Sequence, residues 1–446
     1  MSETLPRTAV VLGAGCSRDL GVPTMPTFMD EAFDRLSRDA VKNQYLKRTL
    51  EALLAFTRRI KGSAAAINTR FLDVEELYGL AEMANDLGAV KGDQALGVEG
   101  ENVEGDELLR HFRRTLMYIC IEAGRELIQN EEYRRVAGRI EQVKRESQSE
   151  DPDLFTDRGS RHANLLAYLG LASFKDMKEE TYPLVIQFNW DLAFDRALYA
   201  YFRARHKDKE GNRAPREYEK EVRESHRVDW AQYADPSNHD FTTCPLVLRP
   251  HGGLHIVDDK ELSKINGHES NTVSDDWEKR VLSEDNETSN QKRLYLYERA
   301  ITKWLNRPHE DVYSASPDLC SGDAMAIEPP TWKKDVTHFL RQWQLMREYL
   351  KSVRRIAFIG YSLPRSDLYM RHFLALALAE ADYVPQVTVW NPAMRPETET
   401  WDNYCEALAP LRRQGRLYAL PRRFGDPALF DLERALHLAE PVPETL

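Results

Sequence analysis

The chain has 446 residues, 42% of them hydrophobic, a formal net charge of −11 and five scattered cysteines. That length allows one to three domains with a sizeable core. The acidic balance repels phosphate backbones and speaks against direct nucleic-acid binding, and no apolar run reaches the roughly eighteen residues that a membrane span needs.

The N-terminal MSETLPRT is polar and carries Glu3, unlike a signal peptide. Cys16, Cys120, Cys244, Cys320 and Cys405 form no CxxC pair, which predicts a reduced, cytoplasmic protein without a thiolate zinc site. The basic RRIKG at 58–62 reads as a solvated face.

The first predicted strand is TAVVLG (8–13), an apolar run that ends in Gly13-Ala14-Gly15, followed by Cys16 and Ser17. Two readings fit this turn. Glycines let a backbone approach a pyrophosphate, and amides opening a helix can bind one. The same glycines also suit a turn needed only for packing.

From about Met29 to Phe174 the apolar residues recur at spacings of three and four, as in YLKRTLEALLAF, VEELYGLAEMANDL and YRRVAGRIEQV. Asp73 before Glu76 resembles a capping box. This block predicts a helical subdomain inserted between the first and second strands.

The second strand, PLVIQF (183–188), runs into Asn189, Trp190 and Asp191 and then a helical pattern at 192–202. An amide and a carboxylate at a strand's carboxyl end stand where open α/β sheets bind ligands. The alternative is an Asx turn that caps the next helix. The third strand, PLVLRPHG (245–252), leads to His251, which is either a general base at a strand end or a histidine in a turn. His251 and His255 lack a third ligand at metal-site spacing.

Polar, charge-rich stretches at 206–226 and 258–279 read as loops. Then follow RRIAFIG (354–360) with GYSLPRSD, a helix at 367–380, QVTVWN (386–391), RLYAL (416–420) and a helix at 431–439. Gly360, Ser362 and Asn391 sit at two further strand ends. The strands are near-continuous apolar runs, as in parallel sheets covered on both faces. The whole predicts a doubly wound α/β fold with polar and glycine clusters at the carboxyl ends of five strands.

In chain order, GAG-C-S-x₃-G-V-P, N-W-D, H-G, G-Y-S-L-P and W-N resemble the sirtuin-like family, and within it the bacterial branch of defence-associated NAD-consuming domains. The resemblance implies a Rossmann-like, mostly parallel sheet domain at 1–28 and 175–446, with residues 29–174 as the inserted helical subdomain. It implies that Gly13, Ala14, Gly15 and Ser17 hold the NAD pyrophosphate, and that Asn189 and Asp191 hold the nicotinamide ribose and carboxamide. It further implies that His251 is the catalytic base, that Gly360 and Ser362 make a second phosphate and ribose contact, and that Asn391 meets the adenosine ribose.

Some positions depart from the family pattern. The two zinc-binding CxxC pairs of protein deacetylases are absent, Pro23-Thr24-Met25-Pro26 replaces an Asp-Phe-Arg-like segment, and Phe188 stands where Gln is usual. These departures weigh against peptide deacetylation.

The expectation is an NAD+ glycohydrolase that needs no metal and releases nicotinamide and ADP-ribose, acting as an anti-phage effector by NAD+ depletion. A deacylase or ADP-ribosyltransferase, or a non-catalytic NAD or ADP-ribose sensor scaffold, are the alternatives. The resemblance also implies a homo-oligomer, paired with a separately encoded ATPase or nuclease-like partner. On this reading Gly15→Val blocks NAD+ binding while the fold is largely retained.

Overall fold

The computed structural model describes residues 5–39, 47, 49–58, 74–86, 108–113, 115–116, 119–120, 167–172, 174–176, 180–191, 193–195, 197–198, 201, 239–258, 279–281, 294–297, 325–327, 339–365, 367–426 and 432–444. Its strands are β1 (Thr8–Leu12), β2 (Leu184–Gln187), β3 (Leu246–Leu248), β4 (Gly252–Asp258), β5 (Lys279–Val281), β6 (Leu294–Tyr297), β7 (Met325–Ile327), β8 (Arg355–Ile359), β9 (Gln386–Trp390), β10 (Leu417–Leu420) and β11 (Glu440–Pro441). The helices are α1 (Met25–Asp39), α2 (Val74–Asp86), α3 (Leu340–Leu350), α4 (Leu368–Ala379), α5 (Glu399–Ala407), α6 (Ala409–Arg413) and α7 (Leu432–His437).

Seven strands form one sheet in the order β11-β10-β9-β8-β1-β2-β3. All its pairings are parallel except β10 with the two-residue edge strand β11. All six sequence-predicted strands lie in this sheet. The order β3-β2-β1-β8-β9-β10 is that of a Rossmann-type doubly wound sheet. The chain steps outward from β1 to β3, then returns to the other side of β1 and steps the opposite way. The switch point therefore falls between β1 and β8.

Residue alternation shows why the sheet is covered on both faces. Ala9 and Val11 of β1 join a core with Leu184, Ile186, Ile356 and Phe358, packed under Trp343 and Met346 of α3, Phe373 of α4 and Trp401 of α5. Val10 and Leu12 join the opposite core with Val185, Ala357 and Ile359, packed under Tyr168, Phe194 and Ala435. Each strand is thus apolar at successive positions, and the runs look continuous rather than alternating.

The described residues between 25 and 172 are helical and carry a third core. It brings together Phe28 and Leu36 of α1, Leu53, Phe56, Leu77 and Tyr78, and Phe112, whose ring meets Phe56 and Tyr78 edge-on at 6.1 and 5.9 Å. Trp190, from the loop after β2, belongs to the same cluster. The first helix starts at Met25, four residues earlier than the periodicity suggests. Asp73, residues 133–143, 206–226 and 259–278 lie outside the described residues.

A second, antiparallel sheet of order β5-β6-β4-β7 was not expected from the sequence. The run directly after His251 belongs to this second sheet, because Gly252 begins β4. Among the described residues no helix is long and apolar enough to cross a membrane.

Candidate functional site

The carboxyl ends of β1, β2, β3, β8 and β9 converge on one cavity of about 440 Å³. Small-molecule sites fall in the range of about 300–1,000 Å³, and in open α/β sheets they lie at the switch point. Of the residues singled out from the sequence, Gly13, Ala14, Gly15, Asn189, His251, Gly360, Ser362 and Asn391 line it. Ser17 and Asp191 do not.

The glycine loops meet each other at the cavity floor. Gly13 N–H donates to Ile359 O at 2.9 Å and Gly15 N–H to Gly360 O at 2.9 Å. A Cβ on Gly13 would stand 2.5 Å from Tyr361 Cα, and one on Gly15 would stand 2.8 Å from Gly360 O. Gly360 adopts a left-handed φ of +62°, and its own Cβ would meet the Cys16 amide nitrogen at 2.4 Å. The packing reading of these glycines is therefore satisfied in full, whatever else the loop binds. Cys16 is buried with its thiol against Ile359 O at 2.9 Å, and burial raises its pKa well above the usual value, so it stays a protonated thiol.

His251 is held by local turn chemistry. Gly252 N–H donates to Arg249 O at 2.9 Å, closing a turn with Pro250 at its second position and a glycine of φ +74° at its fourth. The imidazole is buried against Phe188, centroids 4.5 Å apart, and Phe188 stacks on Tyr361 at 5.1 Å and 18°. Trp343 lies 6.2 Å beyond the imidazole. Phe188 is thus the ring that packs His251 in place.

Asn189 lines the cavity and is 5% exposed. Its Nδ2 donates to Ser17 Oγ at 3.4 Å, while its Oδ1 is buried with no hydrogen-bond partner among the described residues. The loop that carries it is clamped from β3. Arg249 donates to the carbonyls of Asn189 and Asp191 at 2.9 and 3.2 Å and pairs with the buried Asp195 carboxylate. The Arg249 amide is itself held by Gln342. Gln187 adds a further donor to the Asp191 carbonyl at 3.3 Å.

Two expected ligand contacts have other positions. Ser17 is buried between Tyr168, Oγ to Oη 2.7 Å, and Asn189, away from the cavity. Asp191 Oδ1 accepts from the Ala193 amide at 2.8 Å, the cap of the helical turn that follows. Burial raises its pKa, opposed by the Ala193 amide, Ser17 and Arg249. Arg249 and Tyr168 were missed from the sequence. Arg249 stood in plain view beside His251, but a strand-end arginine has no distinguishing pattern, and Tyr168 read only as an apolar helix position.

At the other end of the cavity Asn391 Oδ1 accepts from the Ala393 amide at 2.9 Å and its Nδ2 reaches Tyr361 O at 3.4 Å. Leu363 holds a left-handed φ of +48° in the loop after Gly360. Arg371 bridges its carbonyl at 3.2 Å to Asn403, which lines the cavity, at 3.0 Å. Backbone strain of this kind gathers at ligand sites. Among the described residues no three His, Cys, Asp or Glu side chains are grouped to hold a metal ion.

Fold and cavity together define a Rossmann-type α/β protein with a ligand-sized site at its switch point. Compared with models of known protein families the sequence matches none, and it matches no curated protein.

Proposed function

We propose that this protein is an NAD+ glycohydrolase that releases nicotinamide and ADP-ribose, and that it serves as an anti-phage effector by depleting NAD+. The observation that carries the catalytic reading is the meeting of Asn189 and His251 on one cavity with the glycine loops of β1 and β8.

The reaction forms a bond between a water oxygen and the anomeric carbon of the nicotinamide ribose. The bond from that carbon to the nicotinamide nitrogen breaks, and its electron pair leaves with nicotinamide. Asn189 orients the water or a ribose hydroxyl, and His251 takes the proton released as water adds. The stack of Phe188 and Tyr361 keeps the imidazole in one plane and excludes bulk water beside it. Gly13 to Gly15 and Gly360 line the same space, where a diphosphate can approach the backbone without side-chain bulk, although the amides of Gly13, Gly15 and Gly360 already donate to Ile359, Gly360 and Trp390 carbonyls.

The test is incubation of the purified chain with NAD+ alone, with nicotinamide and ADP-ribose separated by chromatography. Turnover without an acceptor supports the reading. Turnover only when an acylated peptide or protein acceptor is added makes the protein a deacylase or transferase. Saturable binding without turnover makes it a sensor.

A further inference from the structure

The outer face of α4 departs from the pattern of a surface helix. Met370, Phe373, Leu374 and Ala377 fall on one side by helical periodicity and are buried in the core. The opposite arc holds Leu368, His372, Ala375, Leu376 and Ala379, all exposed, Leu368 at 52% and Leu376 at 62%. No lysine, arginine, aspartate or glutamate lies on that arc, whereas a solvated helix face is built from them. Tyr383 and Val384, also exposed, continue the apolar surface past the helix end.

This face is complementary to itself. Leu368, His372, Ala375 and Ala379 follow at spacings of four, three and four, the seam spacing of paired helices. Set a second copy against it, running the opposite way about an axis midway between His372 and Ala375. Each larger side chain then meets a small one: Leu368 faces Ala379 of the second copy, and His372 faces its Ala375. The same register puts Arg365, just before α4, opposite Asp382 of the second copy, just past its α4. Arg365 is free to swing there, being 67% exposed and 3.5 Å from the equally exposed Glu406. Parallel pairing would instead set arginine on arginine and aspartate on aspartate, with the two helix dipoles side by side in the same sense.

Behind this face α4 holds the loop that follows β8. Its N-cap Asp367 accepts from the Met370 amide at 3.0 Å and from Tyr361 Oη at 2.6 Å, and Arg371 bridges the Leu363 carbonyl to Asn403. Tyr361 and Asn403 line the cavity. We propose that the outer face of α4 is a two-fold interface between copies of this chain, with the helices antiparallel, and that pairing there braces the site through Asp367 and Arg371. The bracing rests on the NAD+ reading for its effect on turnover; the interface does not.

The test is sedimentation velocity of the full chain over a micromolar concentration series. The wild type is expected to form a dimer or a multiple of one. Ala375→Glu puts bulk into the seam and two carboxylates beside the axis, and is expected to raise the dissociation constant of the pair about 10²-fold or more, with helical content by circular dichroism unchanged. Arg365→Asp and Asp382→Arg each weaken the pair, and the double variant restores it. A wild type that stays monomeric throughout, or an assembly that Ala375→Glu leaves intact, would overturn the interface. A double variant weaker than both single ones would overturn the antiparallel register. Should Ala375→Glu not fold, the charge exchange decides alone. Turnover per chain is expected to fall about tenfold in Ala375→Glu. Equal turnover in the wild-type pair and the separated variant would overturn the bracing. If the wild-type chain does not hydrolyse NAD+, that reading fails by itself, and sedimentation still decides the interface.

Discussion

Gly360 and Cys16 meet backbone to backbone, so closely that a Cβ on Gly360 would stand 2.4 Å from the Cys16 amide nitrogen. The loops after β1 and β8 are therefore interlocked at the switch point, and their glycines are needed before any ligand arrives. This changes the expectation for Gly15→Val. Its Cβ would press on Gly360 O at 2.8 Å, backbone that cannot rotate away, so the substitution lowers stability by about 2 kcal/mol as well as disturbing the site.

Gly360 and Gly415 give a controlled comparison. Both have left-handed φ, +62° and +65°, but nothing lies within 4 Å of a Cβ on Gly415. Gly415→Ala is expected to cost about 1 kcal/mol from backbone conformation alone. Gly360→Ala adds overpacking and costs about 3 kcal/mol or more. Urea unfolding of the two variants checks this, and equal losses would show that the loops are not interlocked.

The pair Arg249–Asp195 is buried on both sides, with side chains 3% and 0% exposed. Removing one partner strands the other charge. Asp195→Ala is expected to cost about 3–5 kcal/mol, and the double variant Asp195→Ala/Arg249→Met to recover a large part of it. Equilibrium unfolding reads both. A double variant no more stable than Asp195→Ala would mean that Arg249's hydrogen bonds to the Asn189 and Asp191 carbonyls matter more to the fold than its charge balance.

How legible this was follows from what each signal encodes. β1, β2, β8, β9 and β10 announce themselves because strands buried on both faces are apolar at nearly every position, Thr388 being the one polar residue inside such a run. The second sheet does not. Its strands β5, β6 and β7 are three or four residues long, and β5 begins Lys279-Arg280, so neither length nor hydropathy marks them. The convergence of Asn189, His251 and the glycine turns on one cavity was readable because strand order and polarity put them at the same sheet edge. Side-chain direction within a turn was not. Ser17 ends one short 3₁₀ turn and opens the next, and whether its hydroxyl faces a ligand or Tyr168 depends on a residue 151 positions away.

His239 supplies a pH dependence. It is buried with Nε2 3.0 Å from Cys244 O, and burial pushes its pKa down to about 4 from an ordinary value near 6.5. The unfolded chain therefore binds the proton more readily than the folded one between these values. Stability is full above about pH 6.5 and falls as pH drops toward 4. From pH 7 to pH 5 this residue is expected to take away about 2 kcal/mol. Urea unfolding at the two pH values tests it, with His239→Gln as the comparison. A wild-type loss no greater than the variant's would rule out this source.

The last prediction separates Asn189 from Asp191, two residues apart and alike in the sequence reading. Asp191, not Asn189, caps the helical turn that follows, through the Ala193 amide. Asp191→Ala is therefore expected to lose about 1–2 kcal/mol of stability, the scale of a lost cap, with added loss from its buried partners. Among the described residues Asn189 contributes a single 3.4 Å side-chain hydrogen bond and an oxygen with no partner, so Asn189→Ala changes stability by less than about 1 kcal/mol. Turnover responds in the opposite order. Asn189→Ala is expected to lose NAD+ hydrolysis by about 10²-fold or more through lost positioning, and His251→Ala by about 10²–10⁴-fold through the lost proton acceptor. Both line one cavity, so if they act on one step the double variant is little worse than the worse single one. Melting temperature and turnover measured on the same samples decide the matter. Full activity in Asn189→Ala or His251→Ala at normal stability would move the chemistry away from this pair.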